Sequence, residues 1–118
     1  MDLKKLRVEK FQRFSVQNFP AEKMPDLPTV ESEIEVIFYY IDSIADVRRC
    51  VDYCQSVSLR PDNRVILVYA KGRKDGLNRD AIITPFRQGT IPGFVLKAPM
   101  LCSLSPQWSA FVLQKQIH

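Results

Sequence analysis

The sequence predicts an α/β fold in three layers: a mixed, mostly parallel sheet of about five strands with flanking helices and a C-terminal antiparallel hairpin. Three observations carry that expectation. Glu35–Ile41 (EVIFYYI) and Val65–Tyr69 (VILVY) hold continuous apolar runs without two-residue alternation, as strands covered on both faces do. Between them, Ser43–Val57 places Ile44, Val47, Cys50, Val51 and Cys54 on one helical stripe. Beyond Phe94, two β-prone segments flank the turn residues Ser105-Pro106-Gln107.

In chain order, residues 1–9 form a helical or irregular lead-in through Leu3 and Leu6. Phe11–Gln17 is predicted as a strand near a sheet edge, because Phe14 and Val16 alternate with Arg13, Ser15 and Gln17. Asn18-Phe19-Pro20 ends it without glycine, where a dinucleotide- or cofactor-binding unit uses glycines to let the backbone approach its ligand. Pro20, Pro25 and Pro28 make 20–33 an extended crossover. Asp42 follows the strand Glu35–Ile41, and Ser43 with Asp46 forms a capping-box-like start to the helix.

Pro61-Asp62-Asn63 reads as a turn before the strand Arg64–Tyr69. Asn78 caps a short helix over Arg79–Ile83, which Pro85 interrupts or restarts. Pro99 bends the strand Val95–Leu101 or puts it at an edge, and Ser109–Gln114 pairs back on it. Short right-handed crossovers make the first three strands parallel. Residues 116–118 are expected to fray.

The 118 residues suit one domain. Seventeen basic and 13 acidic residues leave a net charge of +4, which permits an anionic partner. The cations are scattered, densest at Lys4, Lys5, Arg7, Lys10 and Arg13, so a nucleic-acid partner is not expected. The start, MDLKKLRVEKF, lacks the apolar stretch of a secretory signal, and Val36–Ile41 is too short to span a membrane. Three cysteines without zinc-type spacing point to reduced thiols and a cytoplasmic location. Cys50 and Cys54 share a helix face at a spacing able to hold a metal, but no second ligand pair exists. They and Cys102 therefore read as buried thiols, with no metal and no cofactor. The single histidine, His118, is terminal, which argues against Ser-His-Asp or Cys-His chemistry.

Ligands of open α/β sheets bind beyond the carboxyl ends of the strands. Asn18, Asp42, Lys71, Arg73, Arg79, Asp80 and Trp108 gather there in the predicted topology. The loop Ala70–Gly76 surrounds Gly72 and Gly76 with cations, a pattern suited to holding an anion, although it lacks the ending of a phosphate loop. Trp108 offers a stacking surface. On residue type alone the plainer reading carries more weight: a solvated basic loop, a loop-supporting Arg79-Asp80 and a packed Trp108.

The pieces DSIADVRRCVDYCQSVSLRPDNRVILVYAK and GFVLKAPMLCSLSPQWSAFVLQK resemble the second half of a class I methyltransferase-like Rossmann fold. More closely, Asn18-Phe19-Pro20, Tyr69-Ala70-Lys71-Gly72, Arg79-Asp80 and Trp108-Ser109-Ala110 resemble a family of short bacterial proteins of unknown function, over most of residues 6–115. The resemblance implies a truncated three-layer α/β fold without an established activity. The glycine-rich turn and the acidic ribose-binding residue of methyltransferases have no counterpart in this sequence. The expectation is a non-enzymatic protein binding a partner or small anionic ligand at the sheet's carboxyl edge. The alternative is a degenerate methyltransferase-like enzyme or cofactor-binding remnant.

Overall fold

A computed structural model describes residues 1–117; the terminal His118 lies outside the described residues. The elements are β1 (Phe14–Gln17), a 3-10 turn (Ala21–Lys23), β2 (Ile34–Ile41), α1 (Ile44–Ser56), β3 (Leu59–Ala70), α2 (Arg79–Arg87), β4 (Phe94–Ser103) and β5 (Trp108–Lys115). The sheet order is β1-β2-β3-β5-β4. β1, β2 and β3 run parallel, and β5 runs antiparallel to both β3 and β4. β1 and β4 form the two edges, as the wetter face of one and Pro99 of the other predict.

Pleating sorts the buried strands onto two faces. Ile37, Tyr39 and Ile41 of β2 join Val65, Leu67 and Tyr69 of β3 against Val47, Cys50 and Cys54 of α1 and Ile82, Ile83 and Phe86 of α2. Val36, Phe38 and Tyr40 join Ile66 and Val68 on the other side. Both helices thus cover one face. The opposite face, expected to carry helix as well, is closed by the N-terminal segment through Leu6, Val8 and Phe11, each buried. That segment is a series of turns with Leu6, Arg7 and Val8 bonded locally, so the lead-in is part of the core rather than a loose end.

Several boundaries differ from the sequence reading for local reasons. β1 begins at Phe14 rather than Phe11, because the N–H groups of Gln12 and Arg13 donate to the Glu35 carboxylate at 2.9 and 3.0 Å. The Pro61-Asp62-Asn63 turn lies inside β3: Ile34 pairs with Leu59 and Val36 with Arg64, so residues 60–63 bulge out opposite Glu35 alone. Proline fits there because the bulge asks nothing of its missing N–H. α2 runs through Pro85 to Arg87, with the Gln88 N–H reaching Thr84 O at 2.9 Å. The loss at Pro85 falls on the single carbonyl of Ala81 in the first turn, and the buried Ile82, Ile83 and Phe86 hold the helix in place beyond it. Gln116, expected to fray, donates its N–H to Gly93 O at 2.8 Å. Among the described residues no helix is long and apolar enough to cross a membrane.

Candidate functional site

Parallel alignment brings the exits of β1, β2 and β3 to one rim and delivers Asn18, Asp42 and Lys71 there. Asn18 has φ 66°, in the left-handed region that asparagine tolerates better than most residues. Its side-chain amide donates to Tyr40 O at 2.8 Å, tying the β1 exit to the β2 exit. The conformation is one a glycine would take, but the side chain occupies the space a glycine would leave open. Phe19 then packs its ring 5.5 Å from Tyr40 and 5.6 Å from Trp108.

A cleft of about 430 Å3 opens between these exits and the first turns of α1, lined by Asn18, Phe19, Tyr40, Asp42, Asp46 and Arg49 among others. Asp46 is buried, and its Oδ2 accepts from the N–H groups of Asp42 and Ser43 at 2.9 and 3.0 Å. Its Oδ1 accepts from Arg49 at 2.8 Å. The carboxylate thus neutralises the positive end of the α1 dipole from within. Burial alone would raise its pKa, but the two backbone bonds and Arg49 outweigh burial and hold it below the ordinary carboxylate value.

The sign of the resulting pH dependence follows. A carboxyl depressed in the folded state contributes stability above its unfolded pKa and loses it as pH falls through the folded value. Asp62, held low by Arg64 and Lys10 against burial, acts the same way. Tyr39, Tyr40 and Tyr69 are all shifted up, chiefly by burial, so their neutral forms stabilise the fold below about pH 10 and that stability fades above it. Urea midpoints are expected to be flat between about pH 5 and 9 and to fall on both sides. Asp46→Asn should flatten part of the acid limb; an unchanged acid limb would contradict the assignment.

The basic loop is less free than its composition suggests. Arg73 donates to Asp42 O and Oδ1, both at 2.7 Å, and also pairs with Asp75. Its guanidinium therefore meets two carboxylates of this chain, and those pairs raise its pKa and lower that of Asp75. Lys71 is drawn to the Ser103 hydroxyl, and Lys74 is exposed. The loop joins the β3 exit to Asp42 and does not form an open ring of cations.

The seven predicted site residues separate into groups. Asn18 and Asp42 line the cleft beside α1, and Arg73 stands behind Asp42. Lys71 shares the rim outside that cleft. Trp108 backs the cleft wall with its ring 5.5 Å from Tyr40, and its other side meets Lys23 in a separate groove. Arg79 and Asp80 open α2 and line a different groove beside β4. The sequence reading missed Arg49 as a cleft residue. Its spacing of three from Asp46 on a capped helix is the signal that would have found it.

All three cysteines are buried and free. Cys50 is raised well above the usual thiol range by its contact with Cys54 and by burial, so it is held as the neutral thiol. Alkylation by iodoacetamide at neutral pH is expected at Cys50 and Cys54 only after denaturation. Rapid modification of the native protein would contradict that burial. No group of three metal-ligating side chains occurs among the described residues.

No family model matches the chain, and no curated protein matches it. Among solved structures, it is similar to a crystal structure of a Sulfolobus solfataricus protein assigned as a type 11 methyltransferase, at 15% identity and a TM-score of 0.48. The similarity covers 82% of this chain but spans only 63% of that one.

Proposed function

We propose that this is a non-catalytic binding protein whose ligand, a small anion or an anionic group on a partner, occupies the cleft at the carboxyl ends of β1 and β2. The observation that carries the reading is unused hydrogen-bonding capacity in that cleft. Arg49 gives one bond to Asp46, and its side chain is 64% exposed. Asp42 is 69% exposed with only Oδ1 engaged by Arg73. A carboxylate or phosphate fits the free edge of Arg49, which offers a fork of donors. Asp42 and the Asn18 carbonyl oxygen accept, so a ligand that also carries hydroxyl or ammonium donors is favoured over a bare anion.

Catalysis has no support from this arrangement. Among the described residues no histidine and no cysteine lines the cleft, and its buried carboxylate is spent on the α1 terminus. A methyltransferase remnant would bring its cofactor close to the backbone at the β1 exit, where Asn18 and Phe19 carry side chains in place of the glycines that permit such an approach.

A thermal-shift panel of amino acids, small dicarboxylates, sugar phosphates and S-adenosylmethionine tests the reading. At ten times Kd a ligand adds about 1.4 kcal/mol, a rise of several degrees for a chain of this size. We expect such a rise for at least one anionic compound with donor groups, lost in Arg49→Ala, and none for S-adenosylmethionine. A shift with S-adenosylmethionine alone, or ligand shifts that survive Arg49→Ala, would overturn it.

A further inference from the structure

The groove between α2 and β4 is separate from the cleft described above and holds a different set of groups. Arg79, Asp80 and Arg87 flank it, Ile83 and Phe111 lie buried at its base, and Leu101 lies on its outer side. Its volume is about 240 Å3, enough for one or two side chains rather than a cofactor. Leu101 is 42% exposed and the adjoining Met100 51%, on the outermost strand of the sheet.

The charges mark this surface out. Arg48, Arg49, Arg60, Arg64 and Arg73 each meet a carboxylate of this chain, and Arg13 is spent on the carbonyls of Ser32 and Glu33. Arg7, Arg79 and Arg87 have no ion pair or side-chain hydrogen bond among the described residues, and the last two stand together in this groove with a single carboxylate, Asp80. Exposed Leu101 and Met100 beside two unspent guanidiniums complement a chain that alternates carboxylates with aliphatic side chains. Simple strand addition does not fit, because β4 loses register between Leu96 and Leu101 and carries Pro99 within that interval.

We propose that this groove docks an acidic segment of a partner protein, with an aliphatic side chain of the partner set on Leu101 and Phe111 and its carboxylates paired with Arg79 and Arg87. The two arginines supply orientation, and exposed Leu101 supplies the apolar contact. The surface acts independently of the Asn18–Asp42 cleft, so each can fail without the other.

The test uses fluorescein-labelled twelve-residue peptides of alternating glutamate and leucine, with lysine–leucine and glutamate–serine versions as controls, followed by anisotropy and by amide shifts of the nitrogen-15-labelled protein. We expect saturable binding of the glutamate–leucine peptide, weakened with salt, with shifts centred on Arg79, Ile83, Arg87 and Leu101. Arg79→Glu/Arg87→Glu should weaken it at least ten-fold, and Leu101→Ser several-fold. All three positions are exposed, so these variants should fold, which their amide spectra will show. Asp42→Ala should bind the peptide like the parent. Equal binding of the lysine–leucine peptide, no loss in the double arginine variant, or shifts confined to other surfaces would overturn the proposal. So would identical shifts from inorganic phosphate alone, or self-association of the protein through Leu101 that excludes the peptide.

Discussion

Asn63→Ala is expected to destabilise the protein by about 3 kcal/mol, lowering Tm by about 12 °C for a chain of this length. Asn63 is fully buried, and its amide donates to Arg60 O at 2.8 Å and to Lys115 O at 3.0 Å. Its Oδ1 accepts from the Lys115 N–H at 2.9 Å. One side chain therefore satisfies the bulge in β3 and the end of β5 together. Alanine leaves those backbone groups without their partners, at about 1–3 kcal/mol for each that water cannot reach. Asn63→Asp should be no better, since it replaces the donor with a carboxylate facing two carbonyls. Chemical denaturation of both variants checks this, and a loss below about 1 kcal/mol would show that the bulge repacks or hydrates without Asn63.

Phe38→Ala is expected to cost more, about 3–5 kcal/mol. Phe38 has no exposed surface and sits in the middle of β2, with its ring 6.3 Å from that of Phe14. The parallel ladders to β1 and β3 hold the backbone on both sides, so the site has little freedom to collapse around the void. The same truncation at Met100, half exposed on β4, should change stability by less than about 0.5 kcal/mol. Equal losses at the two positions would mean that the N-terminal strap leaves its face of the sheet wet.

How much of this was legible in the sequence follows from the range of each interaction. The runs Glu35–Ile41 and Val65–Tyr69 announced buried strands because a continuous apolar run is a local signal, and Ser43 with Asp46 marked the capped start of α1. The parallel direction of β1, β2 and β3 followed from crossover length. The N-terminal strap was not legible: Leu6, Val8 and Phe11 lack any regular period, and their burial depends on a sheet face that exists only after folding. Asn63 looked like turn chemistry because its partner Lys115 lies 52 residues away. At the rim, the residue types of Asn18 and Asp42 and their topology sufficed to bring them together. The pairing within the basic loop was not legible for an electrostatic reason, since Asp42 and Asp75 neutralise Arg73 only in the folded chain. Arg79 and Asp80 follow the β3 exit in sequence, but α2 turns them toward β4 rather than toward Asp42.

An amide-resolved NMR titration with whichever anionic compound raises Tm most tests the central claim directly. The account predicts saturable shifts at Asn18, Phe19, Asp42, Ser43 and Arg49, abolished by Arg49→Ala while the rest of the spectrum is preserved. Shifts that leave these amides unmoved, or that persist at full size in Arg49→Ala, would contradict it.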